Sequence, residues 1–171
     1  MDHPNYHNIG DHTEAVQVDY DPQRISYSDL LAVFWDSHRP TSQPRSRQYL
    51  HAIFYHDDQQ AQQALASKAD AEHKLGRPVR TEVLTLRSFT RAEDYHQKYI
   101  LKRDGALMRE LSRVFPDHRD LVDSTAAARL NAYLGGYGSQ AQFERDIDNL
   151  GLSPENRAKV ENLVCGKGLF N

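Results

Sequence analysis

A chain of 171 residues with 21 basic and 24 acidic side chains is long enough to bury a real core, and at net charge −3 it shows no basic stripe for nucleic acid. No apolar run approaches the ~20 residues of a membrane span, and the opening Met-Asp-His-Pro-Asn lacks the basic-then-apolar order of a signal peptide. A single cysteine, Cys165, excludes an internal disulfide and fits a reducing compartment, so the expected location is the cytoplasm, away from membranes.

Residues 1–14 read as loop, and residues 16–20 as a strand closed by Asp21-Pro22. Ser26-x-x-Asp29 is a capping box that predicts a helix to about His38, with Leu30, Leu31, Phe34 and Trp35 on its apolar face. Trp35 shares that stripe, which favours a core tryptophan over a ligand platform. A polar loop over 39–47 leads to a second strand, 49–55, where Leu50, Ala52 and Phe54 oppose Tyr49, His51, Ile53 and Tyr55. Asp57 caps a long helix ending near Gly76, with Ala61, Ala64, Leu65, Ala71 and Leu75 on its packing face. A third strand is expected over 79–86, and Thr90-x-x-Glu93 predicts one more capped helix carrying Tyr95, Tyr99 and Ile100.

From Asp104 the texture is helical. Helices are expected over 105–114, over 119–134 with a stop at Gly135-Gly136, from Ser139 to Gly151, and from Ser153-Pro154 onward. Strands separated by long helices and followed by a helical tail read as α+β. The expected division is a core of residues 1–103 and a helical C-terminal extension of residues 104–171.

Chemistry concentrates near the start. Glu14 stands where a polar turn becomes a strand, and a partly desolvated carboxyl at such an edge could donate a proton near neutral pH. The alternative is a solvated residue at a strand start. By themselves Tyr6 and Tyr49 read as ordinary half-buried tyrosines with hydroxyls in water. Nine histidines are scattered with no tight metal-ligand spacing, so no metal is expected.

The segment P-N-Y-H-N-I-G-D-H-T-E-A-V-Q-V-D-Y-D-P resembles the A-type peptide methionine sulfoxide reductases (MsrA). So do I-S-Y-S-D-L-L-A-V-F-W-D-S-H-R-P-T, S-R-Q-Y-L-H-A-I-F-Y-H-D-D-Q-Q and A-E-D-Y-H-Q-K-Y, in the family's order and spacing. The resemblance implies a two-layer, ferredoxin-like core. It also implies a reaction in which a cysteine thiolate attacks the sulfur of methionine-S-sulfoxide while a neutral glutamic acid protonates the oxygen. The cysteine becomes a sulfenic acid, which a second cysteine or an external thiol reduces. By residue, Glu14 matches the acid, and Tyr6 and Tyr49 match tyrosines hydrogen-bonded at the sulfoxide oxygen. Cys165 in L-V-C-G-K-G lies where resolving cysteines of the family often stand, although it reads equally as a spare cysteine.

No cofactor is implied. Thioredoxin is the implied reductant, and oxidised proteins or free methionine sulfoxide are the implied substrates. Two departures accompany the likeness. Pro44 stands roughly where many members carry an aspartate before the tyrosine. The family's nucleophile lies in a G-C-F-W motif, and these residues start downstream of where it belongs. The expectation is therefore an N-terminally incomplete core with an unpaired sheet edge and little activity from these residues alone. The alternatives are a non-catalytic module that binds oxidised peptides, or a truncated remnant. The run Ser124 to Gly138 resembles a C-terminal extension found in a subgroup. There Tyr133 and Tyr137 would either bring the tail over the site or pack their helix.

Overall fold

The structure is a computed structural model, and it describes Gly10 and residues 12–165. The chain divides into two compact units, Met1–Arg91 and Ala92–Asn171. Together they form a helix-rich α+β protein with a small parallel sheet.

In the first unit, helix α1 (Tyr27–Asp36) begins at the Ser26 capping box. The Ser26 hydroxyl takes the Asp29 N–H, and the Asp29 carboxylate takes the Ser26 N–H at 2.9 Å. Two backbone donors that the first turn leaves without partners are thus satisfied. Strand β1 (Ala52–Tyr55) pairs in parallel with β2 (Glu82–Thr85), Ile53 opposite Val83. A parallel pair needs a long crossover. Helix α2 (Asp58–Leu75) supplies it, capped by the Asp57 side chain and stopped at Gly76, whose φ of 63° lies in the left-handed region that favours glycine. Leu31, Ile53 and Ala64 form the buried centre, with Phe34, Trp35 and Val83 packed around them. Trp35 is half-buried and donates from Nε1 to Ser67 Oγ at 3.0 Å, a core residue with its polar edge satisfied.

The fully buried Thr81 anchors the polar side of this core. Its hydroxyl meets His38 Nε2 at 2.8 Å, and its carbonyl accepts Lys68 Nζ at 2.8 Å. His38 Nδ1 lies 2.8 Å from the Phe34 carbonyl. A carbonyl can only accept, so Nδ1 carries the hydrogen and Nε2 accepts from Thr81. The His51 ring stands edge-on to His38 at 4.7 Å.

Three expectations fail here. Residues 16–20 run without ladder pairing, and Val16 and Val18 are 89% and 55% exposed. Their alternation has no covered face to serve, so the segment is irregular chain and not a strand. The expected strand over 49–55 is divided: Arg47–Tyr49 is a 3-10 turn, and pairing starts only at Ala52. On α2 only Ala64 of the expected packing face is buried, and Leu65 and Leu75 face solvent.

The second unit is all helix: α3 (Tyr99–Lys102), α4 (Gly105–Val114), α5 (His118–Asp123), α6 (Thr125–Leu134), α7 (Gln140–Asp146) and α8 (Pro154–Cys165). A dense apolar core joins them, centred on Leu101, Leu107, Leu111, Leu130, Phe143 and Val160. Polar ties close the periphery. Asp104 caps α4 and pairs with Lys159 of α8 at 2.6 Å, while Glu110 receives Ser153 and Asn156 at the start of α8.

The Thr90 box does not open a helix. Residues 94–98 form turns, Lys98 takes a positive φ of 50°, and α3 starts only after it. The single helix expected over 119–134 breaks at Ser124. That residue is extended, ending α5 and capping α6 through its hydroxyl. Tyr133 is buried, its ring edge-on to Phe143 at 5.2 Å and its hydroxyl donating to Asp146, which also pairs with Arg129. Burial and the Asp146 carboxylate push its pKa up to about 12. Of the two readings of this tyrosine, packing of its own helix is the one observed. Tyr137 is 68% exposed. Gly138, at φ 103°, lets the chain turn against the Tyr133 ring, where an added Cβ would come within 2.9 Å of Cε1.

Candidate active site

The functional reading of Glu14 depends on what fixes it, since no strand does. The answer lies 34 residues away, in the turn Arg47–Tyr49. The Glu14 N–H donates to the Gln48 carbonyl at 2.8 Å. The Thr13 hydroxyl donates to the Arg47 carbonyl at 3.0 Å. The Gln48 amide Nε2 donates to Glu14 Oε1 at 2.6 Å. Main chain and side chain of Glu14 are thus both tied to the residue that precedes Tyr49.

The turn is itself built from local signals. Ser46 caps it, its hydroxyl accepting the Gln48 N–H at 3.2 Å. Behind it, Gln43 acts as a side-chain splice between the strand entries. Its Nε2 donates to the carbonyls of His51 at 2.8 Å and Arg80 at 2.9 Å, and its Oε1 accepts the His51 N–H at 2.9 Å. The Pro40 carbonyl accepts the Arg80 N–H at 2.8 Å, so the 39–47 loop is pinned to both strand entries. The two-stranded sheet therefore sets where the Arg47–Tyr49 turn stands, and the turn sets where Glu14 stands.

Of the predicted site residues, Glu14 and Tyr49 are thus linked through Gln48, which bonds Glu14 and directly precedes Tyr49. Both are solvent-exposed, Tyr49 at 51%. The partly desolvated strand edge expected for Glu14 is not what the structure has. An exposed carboxyl with one oxygen bonded to an amide has its second oxygen open to an incoming group. Tyr6 lies outside the described residues. Cys165 ends α8 in the second unit, and its side chain likewise lies outside what is described. Among the described residues no group of three or more His, Cys, Asp or Glu could hold a metal ion. No described helix is long and apolar enough to cross a membrane.

Sequence reasoning missed Gln43 and Gln48. Gln48 had one available signal, its place directly before Tyr49 in S-R-Q-Y. Gln43 had none, because its three bonds reach positions 8 and 37 residues away.

Comparison with known proteins gives the chain its relatives. The family model described as peptide methionine sulfoxide reductase matches residues 1–126. A second, described as selenoprotein methionine sulfoxide reductase A, helical domain, matches residues 117–164. A peptide methionine sulfoxide reductase of Drosophila melanogaster is 39% identical over 158 residues, covering 91% of this chain and 63% of the relative. Peptide methionine sulfoxide reductase A5 of Oryza sativa subsp. japonica is 39% identical over 156 residues, 86% of this chain and 61% of the relative. An MsrA of Methanosarcina mazei is 46% identical over 99 residues, 54% of this chain and 47% of the relative. The chain spans about half to three fifths of the length of these relatives. With a family match over most of its residues, the chain belongs to the peptide methionine sulfoxide reductase family.

Proposed function

We propose that these residues form part of a reductase that returns methionine-S-sulfoxide, in oxidised proteins or as the free amino acid, to methionine. The observation that supports the reading is the tie of Glu14, by main chain and side chain, to Gln48, the residue directly before Tyr49, in a chain of this family. Glu14 is the proton donor, and Tyr49 and Tyr6 hydrogen-bond to the sulfoxide oxygen.

The proposed reaction runs in two stages. A cysteine thiolate forms a bond to the sulfoxide sulfur as Glu14 protonates the oxygen. The hydroxyl then passes to the cysteine, giving a sulfenic acid and releasing the thioether. The cysteine is oxidised by two electrons and the methionine sulfur reduced by two. A second thiol condenses with the sulfenic acid, releasing water and leaving a disulfide, which an external dithiol such as thioredoxin reduces. Cys165 serves as the second thiol. It is the one cysteine among these 171 residues, so the nucleophile in this reading is a cysteine outside them. The two-layer, ferredoxin-like core and a cytoplasmic location belong to the same proposal, with no bound cofactor and electrons supplied by the external dithiol.

Turnover of defined peptide epimers by the full gene product, with dithiothreitol as reductant, tests this reading. Reduction of the S-sulfoxide with the R-sulfoxide left intact is expected. Equal action on both epimers, or on neither, would overturn it.

A further inference from the structure

We propose that Gln48 is a positioning residue that selects which oxygen of Glu14 carries the transferable proton. The proposal rests on the reductase reading above and adds a residue to it. A glutamate side chain in water samples many rotamers, and freezing it carries an entropic cost. The exposed Glu14 has no packing to do this. The Gln48 amide does it through one bond of 2.6 Å to Oε1, while the Gln48 carbonyl holds the Glu14 main chain at 2.8 Å.

The chemistry of that bond is asymmetric. The Gln48 Nε2 group has only hydrogens to offer, so Oε1 must present a lone pair. A neutral Glu14 therefore bears its hydrogen on Oε2, the oxygen without an amide partner. A proton donor needs its O–H aimed within hydrogen-bond reach of the accepting oxygen. A carboxyl free to rotate would present the hydrogen on either oxygen and in any direction. With Oε1 held by the amide, rotation of the carboxyl is restrained and the hydrogen is kept on Oε2. The same turn carries Tyr49, directly after Gln48.

Two readouts test the assignment. In nitrogen–proton spectra of the 171-residue chain, the Gln48 side-chain amide should resonate apart from solvent-exposed glutamines and move to their position in Glu14→Ala. In the full gene product, Gln48→Met should lower kcat for a methionine-S-sulfoxide peptide about tenfold with KM little changed, the size of one hydrogen bond between neutral groups. In a Glu14→Gln background the same substitution should have no further effect, because Gln48 acts only through that carboxyl. Equal losses in both backgrounds would make Gln48 a structural residue and overturn the proposal. An amide signal indifferent to Glu14 would overturn it too, whether or not the protein turns over. Absence of turnover in the unsubstituted protein would count against the reductase reading alone, with the amide signal then deciding the role of Gln48.

Discussion

His38 shows how one side chain links the core to pH. Its pKa is lowered from the ordinary 6.5, chiefly by burial; the hydrogen bond to the Phe34 carbonyl pulls it up, and the nearby His51, the smallest effect, lowers it further. The ring is neutral in the fold, where Nε2 must accept from Thr81. The unfolded chain takes up the proton first as pH falls. Stability from this site is therefore complete above about pH 6.5 and is lost as pH drops below it. Thermal melts at about pH 7.5 and 5.5 should show a smaller acid loss for His38→Gln than for the unsubstituted protein. An identical acid loss in both would remove His38 as the cause. The ring is partly exposed, so solvent screening tempers the effect. Lys68, on the far side of Thr81, holds the carbonyl and not the ring. Protonating His38 therefore acts on the hydroxyl contact, which must reverse so that Nε2–H donates to Thr81 Oγ1.

At the scale of elements, caps decide where helices begin. Ser124 both ends α5 and caps α6, its hydroxyl accepting the Ala127 N–H at 3.1 Å and donating to the Leu121 carbonyl at 2.8 Å. Ser124→Ala should cost the second unit about 1 kcal/mol in denaturant unfolding, and Ser124→Asp considerably less. Equal costs for the two would mean that the hydroxyl is not acting as a cap. Ser26, Asp57, Ser139 and Gly76 were legible in the sequence because a cap is a local matter of three or four residues. The Thr90 box was a false signal of the same kind. Its spacing is right, but the chain turns over 94–98 and Lys98 adopts a left-handed conformation before α3 begins. The strand expected over 16–20 failed for another reason. Alternation marks a strand only where a partner ladder and a covered face exist, and neither is readable from five residues. The Ser124 break was hidden because alanine-rich sequence on its far side favours continuing a helix.

At the scale of the whole molecule, the α+β class and the residues proposed for chemistry were legible, while the means of holding them were not. Glu14 and Tyr49 stood out through a resemblance spread over the first unit and the start of the second, and the structure adds that Glu14 is tied to Gln48, directly before Tyr49. A contact across 34 residues leaves no trace in local pattern. The loop that supports it, spliced by Gln43 to both strand entries, depends on the parallel pairing of β1 and β2. The site is in this sense a product of the sheet, although neither proposed residue lies in a strand. The second unit has its own core and its own polar ties, and its last helix ends at Cys165.

The central claim is that Glu14 is the proton donor. It is tested most directly by kcat/KM for a methionine-S-sulfoxide peptide in the full gene product, compared with Glu14→Gln. Gln keeps the shape and the main-chain tie to Gln48 but has no acidic proton. A fall of about 10²–10⁴-fold with an unchanged thermal melt is the expected result. Turnover equal to that of the unsubstituted protein would contradict the claim and reduce Glu14 to a solvated residue tethered to a turn.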